Sequence, residues 1–502
     1  MKLIYKFRTD KNCYLYNAYT NHIFEVGNLI YDLSDFYEEI PPREIMHRFA
    51  SHYEKYLLEA AITEMANITR PGARLHTAPP LRCSHVARED EIRSQIESSL
   101  QQITLGVTEN CNLRCKYCIY TGSYYGSKMH QEQYMDLDTA KASIDYLSAH
   151  CKNSKPPIAI GFYGGEPLLN FDLIRKIVAY SKKMIDKPLL FTITTNGTLL
   201  NTEVNKFLRD HCISLLVSVD GPKSIHDRYR SFRQNGQGSF DVIMKNLKEL
   251  RELDGSYFKS MVRLSMTLMP PGDLAAVDKF IAEVGIPPRV SLVQTYGTKL
   301  LDPGDTEGNL SSEESLNLMK KFTRAAISGT VAQRPTPEEY LFCLGLYWGG
   351  VRKLHLRSIR DGFENSIFKY SNLCIPGASK IFVTTDGQFY VCERVDGMRD
   401  LCIGNLKTGI DVNKVLSLVQ QFNAFRDETC KHCWAIRFCS MCFASTYHFD
   451  GWNREKISHY CEVQKREYKN ALKLYCSILE ENHLGLDFIV EEEQLHESSE
   501  VC

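Results

Sequence analysis

The 502-residue chain lacks an excess of either charge, a long apolar run and an apolar N-terminal segment. Its 60 Lys and Arg balance 61 Asp and Glu, so no basic excess marks a general nucleic-acid binder. Its longest apolar runs, such as Ile213–Val219, are far shorter than the ~18 residues of a membrane span. The N-terminal sequence MKLIYKFRTDK has no apolar core of the kind that signal peptides carry. These absences predict a cytoplasmic protein without nucleic-acid or membrane partners.

Cysteine, in contrast, is abundant, with 18 in the chain. Thiols of cytoplasmic proteins are kept reduced, so a framework of disulfides is not expected. Cysteines that cluster at short spacings in such proteins are more often metal ligands. One cluster lies near residue 115 and another follows residue 370. Their spacing is therefore the main functional signal.

Between residues 103 and 296, short β-branched segments alternate with amphipathic ones, which predicts parallel βαβ units. The predicted strands are Ile103–Thr108, Ile158–Tyr163, Leu189–Thr194, Ile213–Val219, Met261–Leu268 and Arg289–Thr295. Six strands in this order fit an open or partial (β/α) barrel. Because such folds place their chemistry at the C-terminal ends of the strands, the sequence predicts an α/β protein with its site there.

The first cysteine cluster directly follows the first predicted strand. Cys111, Cys115 and Cys118 have the spacing C-x3-C-x2-C within one loop. Thiolates this close can bind one face of an iron–sulfur cubane, in which each iron takes one terminal ligand. Three ligands for four irons would leave one iron open to a small molecule. A zinc loop without its fourth ligand is the alternative interpretation.

This loop, with the aromatic Tyr117 before its last cysteine, resembles the signature of radical S-adenosylmethionine (SAM) enzymes. The resemblance implies a partial (β/α)6 TIM-like barrel, a [4Fe–4S] cluster on the three cysteines, and SAM on the open iron. In that family, an electron from the cluster cleaves SAM, and a 5′-deoxyadenosyl radical then removes a hydrogen atom from the substrate. The resemblance also implies a reducing partner such as flavodoxin or ferredoxin. It requires no protein side chain as the hydrogen-abstracting group.

Polar motifs after the later strands resemble the SAM-binding motifs of the same family. Gly164-Gly165-Glu166-Pro167 resembles the GGEP motif that contacts the SAM amino group. Glycine allows close backbone approach, and a carboxylate suits an ammonium group. The implied SAM-binding residues are Gly164, Gly165, Glu166, Thr195, Asn196, Ser218, Asp220 and Arg263. Asn-Gly and Asp-Gly are also common turn dipeptides, so each motif alone could mark only a turn. The segment His226–Arg230 resembles the peptide-modifying branch of the family, and the sequence assigns it no role.

The second cysteine cluster resembles a SPASM domain, the auxiliary-cluster module of radical SAM enzymes that modify peptides and proteins. Two residues separate Cys439 from Cys442, where the usual pattern has three. By this resemblance, one auxiliary [4Fe–4S] cluster is held by Cys430, Cys433, Cys439 and Cys461. Another is held by Cys374, Cys392 and Cys442, which makes three clusters in all. A pair of zinc sites is the alternative interpretation.

The second of these ligand sets has only three cysteines. Sulfatase-maturing relatives have a further cysteine a few residues after the first, but here residues 375–380 contain none. We therefore expect an open iron in this auxiliary cluster. A substrate thiolate, as a soft ligand, would suit that iron. Cys343 or Cys402 could instead fill the position.

The N-terminal part resembles the winged-helix-like element that binds leader peptides in such maturases. Tyr14–Tyr16 and His22–Val26 predict a hairpin, and helical patterns follow it. Such elements add the leader as an extra strand at a sheet edge. The predicted domains are leader recognition (1–95), a radical SAM core (96–320), a bridging region (321–370), a SPASM domain (371–482) and an acidic tail (483–502).

These resemblances favour a maturase that installs thioether links, of ranthipeptide or sactipeptide type, in a ribosomally made, cysteine-containing precursor peptide. A cysteine thiolate of the peptide would bond to a carbon of the same peptide after hydrogen abstraction. One alternative is sulfatase-type formylglycine maturation, which needs an acidic base near the substrate. Peptide epimerisation and carbon–carbon cross-linking would use the same scaffold. A non-catalytic, metal-bearing peptide-binding module is the alternative outside the enzymes.

Overall fold

The computed structural model describes residues 3–36, 39–70, 82–84, 89–121, 128–269, 273–293, 312–327, 341–359, 367–369, 374–448 and 451–486. Most of the acidic tail and the last two residues of the sixth predicted strand, 294–295, lie outside these ranges. Among the residues described, no helix is both long enough and apolar enough to cross a membrane.

Three antiparallel strands and three helices form an N-terminal unit. Their bounds are β1 Ile4–Arg8, β2 Cys13–Asn17, β3 His22–Val26, α1 Asn28–Leu33, α2 Pro42–Phe49 and α3 Lys55–Thr69. Strands β2 and β3 form the predicted hairpin, and β1 adds a strand that the pattern did not predict. The unit has its own hydrophobic cluster, in which Leu15, Leu33 and Met65 are buried. In the described part of this sheet, β3 is an edge strand.

The chain continues through β4 (Arg82–Ser84) and α4 (Glu89–Ser98) into a parallel sheet. The six strands of this sheet are β5 Gln102–Thr108, β6 Ile158–Gly164, β7 Leu189–Thr195, β8 Ser214–Ser218, β9 Val262–Leu268 and β10 Pro288–Leu292. The helices between them are α5 Leu137–His150, α6 Phe171–Met184, α7 Thr202–Asp210, α8 Lys223–Tyr229, α9 Phe240–Leu253, α10 Gly255–Met261 and α11 Leu274–Val284. Neighbouring strands pair in parallel and in sequence order. The predicted α/β architecture is confirmed.

Local sequence explains why these elements form. Strand β5 is buried on both faces: Ile103, Leu105 and Val107 lie on one face, and Thr104 and Thr108 lie on the other. Short polar side chains cap the helices by accepting backbone N–H bonds. Asp136 accepts the Thr139 N–H at 2.7 Å at the start of α5. Asn201, Asp254 and Asp273 cap α7, α10 and α11 in the same way, so these side chains help to fix where those helices begin.

The C-terminal part extends the same sheet. Its elements are α12 Ser312–Ile327, α13 Leu341–His355, β11 Ile367–Lys369, β12 Lys380–Val383, β13 Gln388–Tyr390, β14 Cys402–Asn405, β15 Gly409–Ile410, α14 Val412–Cys430, α15 Phe443–Thr446, β16 Tyr447–His448, β17 Gly451–Trp452 and α16 Arg454–Glu481. Strand β12 pairs in parallel with β5, and β13, β14 and β15 follow antiparallel. The result is a ten-stranded sheet in the order β10-β9-β8-β7-β6-β5-β12-β13-β14-β15.

The N-terminal sheet is attached to the second cysteine segment. The Tyr5 ring stacks on Trp434, with ring centroids 4.1 Å apart. The Arg437 guanidinium donates hydrogen bonds to the carbonyl oxygens of Ala18 and Tyr19, both at 2.5 Å. Since Trp434 and Arg437 both lie between Cys433 and Cys439 in the chain, the sheet rests directly on this cysteine loop.

Candidate active site

The first cysteine loop leaves the C-terminal end of β5 and is largely buried. Cys111, Cys115 and Cys118 form one small cluster with Leu113 and Phe232. Burial, with smaller contributions from Glu166 and the two other thiols, raises the pKa of Cys111 to about 12. Burial likewise raises the pKa of Cys118 to about 12. The structure thus brings the three thiols together, and metal binding there would release their protons.

Backbone hydrogen bonds to a distant segment fix the shape of this loop. The Arg114 N–H donates to the Ser231 carbonyl at 2.8 Å, and the Lys116 N–H donates to the Tyr229 carbonyl at 2.9 Å. In return, the Arg233 N–H donates to the Asn112 carbonyl at 2.9 Å. The segment after α8 therefore supports the cysteine loop like a neighbouring strand.

The donor chemistry of the loop fits an iron–sulfur cluster. Its three donors are soft thiols, which suit iron–sulfur clusters, and they lie in a pocket that excludes most water. Each iron of a cubane takes its own ligand, so these sulfurs need not converge on one point as the ligands of a single ion do. Within the described ranges, no group of three His, Cys, Asp or Glu side chains is arranged to hold a metal ion.

Close backbone approach explains the two glycines that end β6. A Cβ at Gly164, whose φ is +130°, would lie 2.1 Å from the Thr108 carbonyl oxygen. A Cβ at Gly165 would lie 2.1 Å from the Asn110 carbonyl oxygen. The Gly165 N–H donates to Thr108, and the Glu166 N–H donates to Asn110, at 2.8 and 2.9 Å. These glycines therefore allow the start of the cysteine loop to lie against β6.

Glu166 is fully buried beside this loop and links it to β7. Its Oε1 accepts hydrogen bonds from the Thr195 hydroxyl at 2.6 Å and from the Leu168 N–H at 3.1 Å. Its Oε2 accepts from the Asn196 N–H at 2.7 Å. Burial raises the pKa of Glu166 to about 7, although these three bonds oppose the shift. The Asn196 amide in turn lies 3.8 Å from the Cys111 sulfur, so the three predicted residues and the loop form one network.

Asp220 lies in a second buried network at the ends of β8 and β9. Its Oδ2 accepts from Arg230 Nε at 2.7 Å and from the Tyr117 hydroxyl. Its Oδ1 accepts from the Thr267 N–H at 3.0 Å. The same guanidinium lies 3.8 Å from the Cys115 sulfur through Nη1. Asp220 therefore lies near the cysteine loop, with its oxygens engaged by protein donors.

The two remaining predicted SAM residues lie at opposite ends of their strands. Ser218 is the last residue of β8, at the same sheet edge as the cysteine loop. Arg263 is the second residue of β9, about 13 Å along the strand from Thr267. Its guanidinium donates to the carbonyl oxygens of Lys259 and Val262. The structure therefore does not place Arg263 with the other predicted SAM residues.

A small cavity of about 10 Å³, with room for roughly one water molecule, lies beside the cysteine loop, and its walls carry charged groups that the sequence did not single out. Gly164, Gly165, Glu109 and Tyr120 line one side, and Thr384, Thr385 and Asp396 line the other. Lys128 Nζ lies 2.5 Å from Glu109 Oε1 and 3.5 Å from Asp396 Oδ2. Burial raises the pKa of Asp396, with Lys128 and Tyr120 opposing the shift. Glu109 Oε2 is buried and has no hydrogen-bond partner among the described residues. No sequence motif marked these groups, because they are distant in the chain.

The second cysteine segment brings its side chains together in two groups. In the first group, burial raises the pKa of Cys374, and burial followed by Glu393 raises that of Cys392; Cys442 adds a smaller increase to each. Lys380 lies near both and opposes the shift. These three cysteines are the set predicted to hold one auxiliary cluster. Cys402 lies apart in β14, where its thiol donates to Gln388 and Gly404.

The other group lies where α14 meets α16. Cys433 and Cys439 both raise the pKa of Cys461, which burial brings to about 11. The Cys433 N–H donates to the Cys430 carbonyl at 2.9 Å, which places the fourth predicted ligand one turn away. The buried Arg426 lies near Cys439 and Cys461 and lowers the pKa of both thiols. These neighbour effects are consistent with the two predicted ligand sets, which stay predictions.

Comparison with known proteins agrees with this architecture. Residues 105–282 match the Radical SAM superfamily model. The chain is 29% identical over 320 residues to the uncharacterised protein MJ0907 of Methanocaldococcus jannaschii, covering 63% of this chain and 91% of that one. It is 31% identical over 162 residues to the cysteine-type anaerobic sulfatase-maturating enzyme of Clostridium novyi. That alignment covers 32% of this chain and 42% of the relative.

Solved structures show the same fold. The structure of anSMEcpe with bound AdoMet superposes with a TM-score of 0.57 at 18% identity, covering 79% of this chain and 99% of that chain. A further structure of anSMEcpe contains AdoMet and a peptide called Cp18Cys. Residues 105–282 therefore form a radical SAM domain, which implies an enzyme that uses SAM and a [4Fe–4S] cluster.

Proposed function

We propose that this protein is a maturase that forms thioether links in a ribosomally made, cysteine-containing precursor peptide. The observation that carries the proposal is the cavity between the two cysteine regions. Glu109 and Tyr120 flank the first cysteine loop in the chain, whereas Asp396 follows Cys392 by four residues. A peptide side chain bound over this cavity would lie near Glu109, which precedes the first cysteine loop, and near Asp396 of the second cysteine segment.

The first loop would hold the cluster to which SAM binds. SAM bound at Cys111, Cys115 and Cys118 supplies the 5′-deoxyadenosyl radical that abstracts hydrogen, and the protein supplies position and shielding. Glu166 is buried beside Cys111, and Thr195, Leu168 and Asn196 donate to its oxygens, so we assign it the role of holding the GGEP turn and the end of β7 in place around the SAM site. We assign the SAM contacts to Gly164, Gly165, Thr195, Asn196 and Ser218. Asp220 acts indirectly, because Arg230 and Tyr117 occupy its oxygens.

The second segment would hold two auxiliary clusters. Cys430, Cys433, Cys439 and Cys461 would supply four ligands to one of them. Cys374, Cys392 and Cys442 would supply three ligands to the other, which leaves a place for the thiolate of the peptide. Cys343 is fully buried on α13, and Cys402 bonds within the sheet. The placement of these two thiols supports a three-cysteine site beside the cavity.

The N-terminal unit would bind the leader of the peptide. Its edge strand β3 is half-exposed, and its order of three strands and three helices suits strand addition. An added strand gains main-chain hydrogen bonds along β3 and therefore needs little side-chain specificity. Because Arg437 ties this sheet to the loop between Cys433 and Cys439, a bound leader would be held at a fixed distance from the cavity.

Formylglycine formation is the second candidate, and Asp396 favours it. That reaction needs a base near the substrate thiol or hydroxyl, and Asp396 is a buried carboxyl group on the cavity wall. The similarity to the sulfatase-maturating enzyme of Clostridium novyi also supports this candidate. The two functions differ in the product and not in how the radical is generated.

The test uses the full chain, reconstituted anaerobically with iron and sulfide. Dithionite, SAM and cysteine-containing peptides are added, and 5′-deoxyadenosine and peptide mass are measured beside Cys118→Ala. We expect about 12 irons per chain, 5′-deoxyadenosine from the wild type alone, and a peptide that has lost two hydrogens and no longer reacts with a thiol alkylator.

The products distinguish the candidates. A peptide aldehyde that reacts with a hydrazine would support formylglycine formation and contradict the thioether proposal. A full iron content with no 5′-deoxyadenosine, with or without peptide, would contradict both. Zinc in place of iron in anaerobically purified protein would support a non-catalytic peptide-binding module.

A further inference from the structure

The segment His226–Arg230, which the sequence left without a role, contacts the first cysteine loop through a set of buried bonds. His226 is fully buried, and its Nδ1 accepts the Asp220 N–H at 3.4 Å. Its Nε2 lies 2.9 Å from the Ser239 hydroxyl. The Asp227 carboxylate accepts the Phe240 N–H at the start of α9. His226 and Asp227 therefore hold the segment in place, while Tyr229 contacts the loop through its carbonyl and ring and Arg230 contacts it through its charged side chain.

Arg230 lies between a carboxylate and a cluster-binding sulfur. Its Nε and Nη2 donate to the two oxygens of Asp220 at 2.7 and 3.3 Å, a bidentate pair. Its Nη1 lies 3.8 Å from Cys115 Sγ, and its guanidinium carbon lies 5.3 Å from the centroid of the Tyr117 ring. The side chains of Arg230 and Asp220 are only 9% and 1% exposed, so water screens neither charge effectively.

The charges of Arg230 and Asp220 affect how readily a cluster held by Cys115 accepts an electron. Hydrogen bonds to cluster sulfurs and nearby charge set the reduction potential of an iron–sulfur cluster. A guanidinium close to Cys115 stabilises the more negative, reduced state. The Asp220 carboxylate opposes that effect. The two residues therefore act with opposite sign on the same potential.

We propose that Arg230 is a positioning residue that raises the reduction potential of the cluster held by Cys115, and that Asp220 offsets part of this increase. The inference rests on the proposed cluster at the first loop and deepens it by assigning control of its reduction. Arg230 also fixes the direction of the Cys115 side chain, because its own orientation is locked by the bidentate pair. Reductive SAM cleavage starts with that electron, so the pair sets how readily the enzyme is activated.

The test is a potentiometric titration of the reconstituted full chain, followed by electron paramagnetic resonance. Only the first-loop cluster binds SAM, so the part of the signal that SAM changes reports on that cluster. Arg230→Lys keeps the charge but loses the bidentate fork and the Nη1 contact. For Arg230→Lys we expect about a tenfold lower ratio of reduced to oxidised cluster at a given applied potential. This corresponds to a reduction potential about 59 mV lower for a one-electron couple. Asp220→Asn removes the opposing charge and should shift the potential upward.

Arg233→Lys is the matched control, since Arg233 lies three residues away and forms a largely exposed ion pair with Glu132. The reduction potential of the first-loop cluster in Arg233→Lys should equal that in the wild type. Opposite shifts in Arg230→Lys and Asp220→Asn, with iron content retained, would support the proposal. Unchanged potentials, or shifts of the same sign, would overturn it and assign the pair to packing alone. A wild type with no SAM-sensitive signal would instead contradict the proposed function.

Discussion

Replacing Gly165 by alanine tests whether the cysteine loop depends on its close contact with β6. An added Cβ would lie 2.1 Å from the Asn110 carbonyl oxygen and 2.6 Å from its carbon. Carbon and oxygen atoms need well over 3 Å, so the backbone would have to move by roughly 1 Å. Such overpacking typically costs about 1–3 kcal/mol. Because Asn110 directly precedes Cys111, the same movement displaces the first ligand.

The measurement combines the unfolding free energy of the iron-free chain with its iron content after reconstitution. We expect Gly165→Ala to lose stability by the amount above and to lose about four irons, the content of one cubane. Gly255→Ala is the control, because its added Cβ meets no atom within 4 Å and alanine favours the helix α10. A Gly165→Ala protein with normal stability and a full iron load would refute the argument from close contact.

Three further predictions concern the auxiliary cysteines, the docking of the N-terminal sheet and pH. Iron analysis should show that Cys392→Ala and Cys439→Ala each lose about four irons and that the double variant loses about eight. Loss of all iron from either single variant would contradict two separate auxiliary clusters. Arg437→Ala should remove two charge-assisted hydrogen bonds to the N-terminal sheet, each of about 1.5–3 kcal/mol. Hydrogen–deuterium exchange of the backbone amides of residues 13–26 should therefore become faster, and unchanged exchange would contradict the attachment of this sheet through Arg437. Burial raises the pKa of Glu166 to about 7 from 4.5, so its neutral form is favoured on folding and stability falls as pH rises between these values. Glu166→Gln should remove this loss, about 3 kcal/mol in total across that pH range, from the pH dependence of unfolding of the iron-free chain. An unchanged pH dependence would contradict the shift.

The parts of the site that the sequence predicted are those whose residues lie close together in the chain. Cys111, Cys115 and Cys118 lie within one loop, so their spacing alone predicts that the three thiols are close together. Glu166 could be singled out from the sequence because it follows two glycines at the end of a predicted strand. The contact of these two glycines, Gly164 and Gly165, with the backbone of Thr108–Asn110 could not be predicted, because the two segments are distant in the chain.

Residues missed by the sequence analysis owe their role to contacts between distant segments. Arg230 meets Cys115 across 115 positions, and Asp396 meets Tyr120 across 276. Arg263 is the opposite case, because its side-chain type suits SAM but the structure places it at the other end of β9 from the cysteine loop. It lies near the beginning of the predicted strand Met261–Leu268, and chemistry in parallel sheets is found at the other end. Counting its position along the strand would have argued against it.

The ten-stranded sheet explains how two cysteine regions more than 250 residues apart face one cavity. Strand β12 pairs with β5 so that Val383 lies opposite Leu105. The turn that follows Val383 therefore emerges at the same edge as Glu109, and Thr385 donates to Glu109 at 3.2 Å. A slip of one residue would turn every side chain of β12 to the other face of the sheet. The contact between Thr385 and Glu109 beside the cavity is thus set by the register of β12 against β5.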